Sequence, residues 1–287
     1  MSAPAAPRSA ATGSLPLAAP LGLFFVVFVV MPLLLLAFVS VHTDPSLSKN
    51  GLNQYAKFLG DGFNLAVLRD TLWLGLKVTV LTLAIGYPLA WVYVQAPSRW
   101  QPVLMLLIVL PLLTSSVVRT FAWVVILGRQ GIINTLLIDY GFITAPVKLL
   151  YTPGAVAVAL AQIELPLMVL PLITALLNVD PNLRQASLSL GAGHWRTFMQ
   201  VTLPLSVPGL LAGSLLVFAS SVSAFVTQTL VGGGQMMFMP FYMYQQAIQA
   251  NEYPFAAAIA MVLLVCVLAI VTVVNSLGRR SKGFVHA

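Results

Sequence analysis

QASLSLGAGHWRTFMQVTLPLSVPG, Gln185 to Gly209, is a short polar stretch set between two long apolar runs. It is polar for a few turns, then turns apolar, with Pro204 and Pro208 at the changeover. A segment of this kind reads as a water-facing loop between membrane helices, and it raises the question of what docks on it.

The surrounding composition agrees. Of 287 residues, 59% are hydrophobic and only 7% are charged. A soluble domain has about 25% charged residues, so a water-facing surface cannot be built from this chain. Apolar runs of membrane-spanning length recur, and a helix satisfies every backbone polar group within itself in lipid. Barrel strands would alternate with period two, which these runs do not. The expected class is an all-α membrane protein with six spans, at 17–41, 71–95, 102–127, 153–177, 205–230 and 255–277. Pro32, Pro88, Pro111, Pro166 and Pro171, with Gly86 and Gly213, should kink or interrupt these helices.

The net charge of +7 is a topology signal. With the N-terminus inside, the inner segments hold Arg8, Arg99, Arg184, Arg196, Arg279, Arg280 and Lys282, with Asp180 as the one acid. The outer segments mix Lys49, Lys57, Arg69, Arg129 and Lys148 with Asp44, Asp61, Asp70, Asp139 and Glu252. This bias places both termini in the cytoplasm and argues against a nucleic-acid surface. Residues 1–14 read as a disordered tail, 15–280 as the membrane domain with a cytoplasmic loop at 181–204, and 281–287 as a second tail. The apolar run from Leu15 to Val41 is too long for a signal-peptide core and is expected to remain as the first helix.

Catalytic signatures are absent from the sequence. Cys266 lies alone in an apolar run, and His42, His194 and His286 have no metal-ligand spacing. There is no G-x-x-x-x-G-K-[ST], and Gly232 to Gly234 are followed by Gln235. The chain is therefore expected to do no chemistry and to bind no cofactor or metal.

Within the loop, Pro181 can start a short helix after Asp180, with Leu183, Ala186 and Leu190 on one face. Gly191 and Gly193 should end it, and Trp195, Phe198 and Val201 form a second apolar stripe before Pro204. Two short helices at an angle would then expose Leu190, Trp195 and Phe198, and an exposed apolar loop meets a partner.

The pattern Ala186, Gly191, Trp195, Phe198, Leu203-Pro204, Pro208-Gly209 resembles the cytoplasmic EAA loop of ABC-transporter permease subunits. IGYPLAWVY (Ile85 to Tyr93), LPLLTSSVVRTFAWVVIL (Leu110 to Leu127), GIIN (Gly131 to Asn134) and the run Leu203 to Gly233 resemble the first permease subunit of spermidine/putrescine-type importers. The resemblance implies the six-helix type I importer (MetI-like) core in a bacterial inner membrane. It implies a homologous second permease, a dimer of ATP-binding subunits that hold ATP and Mg, and an extracytoplasmic solute-binding protein. It implies that Gln185, Ala186, Ser187, Leu190, Gly191, Trp195 and Phe198 couple to the ATPase. Gln185-Ala186-Ser187 stands where the family has Glu-Ala-Ala, so the seating would rest on apolar contact and hydrogen bonds.

Three charges fall inside spans, and such charges are functional candidates by default. They are Arg119, Glu164 and Lys77, the last close enough to the outer surface to snorkel. Arg119 and Glu164 lie at similar expected depth; they either pair with each other or meet the solute. Ser220, Ser221, Ser223, Thr227, Gln228 and Thr229 form a polar stripe in span five suited to a pathway, or to interhelical hydrogen bonds; Ser220, Ser223, Gln228 and Thr229 are the pathway candidates. The resemblance favours a polyamine or related organic amine. Its relatives carry acids in span five where this chain has Ala224 and Thr229, so an anionic or zwitterionic solute (a phosphonate, an opine or amino-acid derivative, a metal-anion complex) is the alternative. A stand-alone secondary transporter is the rival class.

Overall fold

The computed structural model describes residues 15–44 and 49–282. The expected tail at 1–14, His286 and the last residues of the expected tail at 281–287 lie outside them.

Among the described residues the chain is helical. Helix α1 (Leu15–Phe25) passes through a π-helical turn, Val26–Val30, into α2 (Met31–Ser40). A short α3 (Asn53–Gly60) precedes the long α4 (Gly62–Gln95). The Asp61 carboxylate starts α4 by accepting a hydrogen bond from the Phe63 amide at 2.9 Å. Next come α5 (Gln101–Val109), a 3-10 turn at Leu110–Leu113, α6 (Ser116–Leu127), α7 (Ile132–Asp139) and α8 (Pro153–Leu177). The docking-loop helices are α9 (Pro181–Ser189) and α10 (His194–Thr197), and a π segment at Phe198–Thr202 leads from α10 into α11 (Leu203–Ser223). The described residues continue through α12 (Phe225–Gly232), α13 (Met239–Tyr244), a π segment at Gln245–Gln249 and α14 (Tyr253–Lys282).

Among the described residues, six helical segments are long and apolar enough to cross a membrane: Pro20–Ser40, Gly62–Gln95, Ser116–Asp139, Pro153–Leu177, His194–Ser223 and Tyr253–Ser276. Helix α8 is the hub, packed against both α4 and α11, which also touch each other. Val156, Ala159, Leu160, Met168, Val169 and Leu172 of α8 are fully buried. The first span is the opposite case, with none of its apolar window buried. Its Leu21, Leu23 and Phe28 face outward, as a lipid-facing helix requires.

The α8–α11 seam is built on close approach. Gly209 and Gly213 lie one turn apart on α11, and a Cβ at Gly209 would lie 2.5 Å from the Pro171 carbonyl oxygen. A Cβ at Gly213 would meet the Met168 carbonyl at 3.0 Å. This small-xxx-small spacing lets two helix backbones touch in lipid, where dispersion and not water exclusion drives association.

Three spans differ from expectation. Span two, expected over 71–95, begins nine residues earlier, at Gly62. Span three, expected as one helix over 102–127, is two helices. Pro111 lies inside the 3-10 turn, and the extended backbone at Thr114 and Ser115 separates α5 from α6. Span five, expected over 205–230, ends at Ser223 and resumes at Phe225. Ala224 (φ −73°, ψ 79°) breaks it with no proline or glycine at the break.

Candidate functional site

Two features stand out: the loop at the end of the bundle where α8 ends and α11 begins, and a belt of polar groups within the spans.

Asp180 caps α9 by accepting from the Asn182 amide at 2.8 Å, and Pro181 fills the first helical position. The helix closes in a Schellman turn. The Ala192 amide donates to the Ser187 carbonyl at 3.2 Å, and the Gly191 amide to the Leu188 carbonyl at 3.0 Å. Gly191 occupies the left-handed position of that turn at φ +83°, the reason a residue without Cβ stands there. A hydrogen bond of 2.9 Å between the Ser187 and Thr197 hydroxyls ties α9 to α10.

The outer side of this angle is apolar. Leu190 is 88% exposed and Trp195 71%. Gln185, Ala186 and Gly191 are exposed and Ser187 is half-buried. Phe198, expected on the exposed face, is turned inward instead. Its ring packs edge-on against Tyr87 (5.7 Å) and Trp91 (5.2 Å) of α4 and stacks on Trp195 (5.7 Å). The Arg184 guanidinium lies over the Trp91 ring at 4.8 Å. Two α4 rings one turn apart outcompete water for this side chain.

In the spans, Glu164 is buried near the middle of α8 and accepts a hydrogen bond from Ser220 Oγ at 2.9 Å. Arg119 of α6 donates through Nη1 to the Ile163 carbonyl at 3.2 Å, and its buried Nε has no partner. The two charges form no ion pair: the structure gives each its own partner. Around them, Trp123 Nε1 donates to Gln162 Oε1 at 3.1 Å, and the Thr120 and Thr227 hydroxyls bond at 2.8 Å. Lys77 is exposed, and its ammonium lies 5.6 Å from the centre of the Trp73 ring.

The span-five residues divide between belt and backbone. Ser220 meets Glu164. Ser223 donates to the Ala219 and Ser220 carbonyls at 2.9 and 3.1 Å, and borders an apolar groove also lined by Leu35, Phe225 and Tyr244. Gln228 is 1% exposed, and its Nε2 donates to the Ser221 and Val222 carbonyls at 2.8 and 3.4 Å. At the broken end of α11 the Ser220 and Val222 carbonyls thus accept from the Ser223 and Gln228 side chains, and the Ser221 carbonyl from Gln228 and the Ala224 amide. Thr229 bonds back to the Phe225 carbonyl at 2.8 Å. Of the expected pathway residues, Glu164 and Ser220 come together, Arg119 lies beside them, and Gln228 holds the helix break.

Tyr87, Trp91 and Gln162 escape a reading of the sequence, because apolar flanks make them look like ordinary span residues. The four-residue spacing of Tyr87 and Trp91 is the signal that could have found the first two.

A family model described as "Binding-protein-dependent transport system inner membrane component" matches residues 82–282. The spermidine/putrescine transport system permease protein PotB of Haemophilus influenzae is 34% identical over 251 residues, 84% of this chain and 86% of the relative. The molybdenum transport system permease protein ModB of Escherichia coli K12 is 36% identical over 189 residues, 62% of this chain and 81% of the relative. A chain of the bacterial alginate ABC transporter, in complex with an alginate pentasaccharide-bound periplasmic protein, superposes with a TM-score of 0.74. It covers 94% of this chain and 96% of its own at 18% identity, which shows a shared fold.

Proposed function

We propose, because the chain belongs to the family of binding-protein-dependent transport system inner membrane components, that it carries a small organic cation of the polyamine class through a bacterial inner membrane. The chain is a permease subunit of an ABC importer. In this reading it pairs with a homologous second permease, receives solute from an extracytoplasmic binding protein, and leaves ATP and Mg to a dimer of ATP-binding subunits. The loop faces the cytoplasm, in line with the basic residues Arg184 and Arg196 on it.

The docking surface is the exposed angle between α9 and α10. Leu190 and Trp195 project from it, Gln185, Ala186 and Ser187 border it, and Gly191 sets its bend. Desolvating these side chains in a groove of the ATPase supplies the contact. Closure of the ATPase pulls on this angle, and the spans alternate between outward and inward access.

Glu164 is the observation that carries the solute class. It is a buried carboxylate midway along the central helix, hydrogen-bonded by one serine and in a direct ion pair with no cation among the described residues, with Arg119 nearby but bonded to the Ile163 carbonyl. A carboxylate left unpaired in a low-dielectric site is costly, and a passing ammonium group relieves that cost. The likeness to a spermidine/putrescine permease agrees in kind. One observation favours an anion instead: the buried Arg119 Nε has no acceptor.

The test is ATP hydrolysis by the reconstituted complex with its binding protein, across polyamines, amino acids, phosphonates and oxyanions. Polyamines should stimulate it, and Glu164→Gln should raise the concentration needed by about tenfold, the effect of about 1.4 kcal/mol. Stimulation by anions alone, or a Glu164→Gln complex that responds as wild type, would overturn the cation reading.

A further inference from the structure

The chain from His194 to Ser223 is one helical run, so displacement of the docking loop reaches α11 directly through the backbone. Helix α4 has no such covalent link. It ends at Gln95, more than eighty residues upstream of the loop's start at Pro181. Yet α4 packs on both α8 and α11, and the bundle cannot change shape as a unit unless it follows.

Side chains make the connection. Tyr87 and Trp91 stand one turn apart on one face of α4, and the Phe198 ring meets both edge-on. Arg184, on α9, covers the outer side of Trp91 at 4.8 Å. Trp91 is thus touched by both limbs of the loop: by Arg184 from α9 and by Phe198 from the π segment after α10. At the inner edge, the Tyr87 and Ser206 hydroxyls bond at 2.9 Å, and Ser206 is fully buried in α11. Phe198 is also the first residue of the π segment, a local widening of the helix that is frequent where helices carry function.

We propose that Phe198 is a positioning residue for transport: with Trp91 and Arg184 it forms an aromatic joint that makes α4 follow the docking loop. This rests on the reading of 181–204 as the ATPase-docking loop, and reassigns Phe198 from the docking face to the transmission behind it. The physical basis is shape. A ring held edge-on between two rings transmits push and pull, since packed interiors resist compression, whereas a small side chain there leaves slack. Slack would let the ATPase close while α4 stays behind.

The experiment uses the whole complex in proteoliposomes: both permeases, the ATP-binding subunits and the binding protein. Solute uptake and ATP hydrolysis are measured on the same vesicles, and the yield of co-purified ATP-binding subunit is measured beforehand. Phe198→Ala should co-purify the ATPase at wild-type yield and hydrolyse ATP, while uptake per ATP falls at least about fivefold, the low end of coupling between distant sites. Phe198→Tyr should restore most of the ratio, since the ring is kept. Arg184→Gln, which removes the cation over Trp91 at a half-buried position, should lower the ratio in the same direction by less.

An unchanged uptake per ATP in Phe198→Ala and Arg184→Gln would overturn the joint while leaving the docking reading intact. Loss of uptake together with loss of co-purified ATPase would also overturn it, because Phe198 would then be part of the docking face. A wild-type preparation that binds no ATP-binding subunit would instead remove the docking reading itself, and the joint with it.

Discussion

Gly209→Ala tests the seam on which the bundle depends. The new Cβ would lie 2.5 Å from the Pro171 carbonyl oxygen and in hard contact with the Ala175 Cβ. The first distance is about 1 Å inside ordinary contact range. A backbone carbonyl and a methyl on a rigid helix cannot rotate away, so α8 and α11 must separate. Opening the seam by about 1 Å forfeits a quarter to a half of the attraction between the atoms lining it. Overpacking of this kind costs about 1–3 kcal/mol, and rigid neighbours place Gly209 at the upper end. Replacing glycine by alanine in a helix returns about 1 kcal/mol. The net loss is about 2 kcal/mol, or about 4–8 °C in melting temperature for a chain of this size. The assay is thermal unfolding of the purified complex in one detergent, with Gly22→Ala as the matched control. Nothing lies within 4 Å of a Cβ at Gly22, so that variant should melt at or slightly above wild type. If Gly209→Ala melts with Gly22→Ala, the close-packed seam is wrong.

Two further variants probe other parts of the fold. Gln228→Leu removes the donor that satisfies the Ser221 and Val222 carbonyls and should cost about 0.6–1.7 kcal/mol in the same melting assay. Gln228→Met, of similar length and without a donor, should lose about as much, and wild-type melting of both would show that the break at Ala224 needs no side-chain support. Gly191→Val forces a β-branched residue to φ +83°, at a cost of at least about 1–2 kcal/mol, and should unwind the end of α9. Membrane levels should hold while ATP-driven uptake is lost, and normal uptake would detach the Schellman turn from function.

Several features were legible in the sequence because they depend on one segment at a time. Whether a helix enters lipid is decided by its own composition over about 20 residues, which is why six spans were readable. The bend at Gly191 was readable for a similar reason: a left-handed turn is a local demand that glycine alone meets without strain. The break inside span three had its cause in plain sight at Pro111, but a proline can kink a helix or end it, and neighbours decide which.

The tertiary structure decided the facing of side chains. Span five breaks at Ala224, an alanine with no local reason to break, because Gln228 and Ser223 satisfy the freed carbonyls from outside the helical ladder. Arg119 and Glu164 are neighbours but make no direct ion pair, because the Ile163 carbonyl and Ser220 take their hydrogen bonds. Phe198 turned inward because Tyr87 and Trp91, about a hundred residues earlier, present their rings to it. Depth in a membrane is a property of each helix and follows from its own residues. Which face meets which neighbour is a property of pairs, and only the packed bundle brings those pairs together.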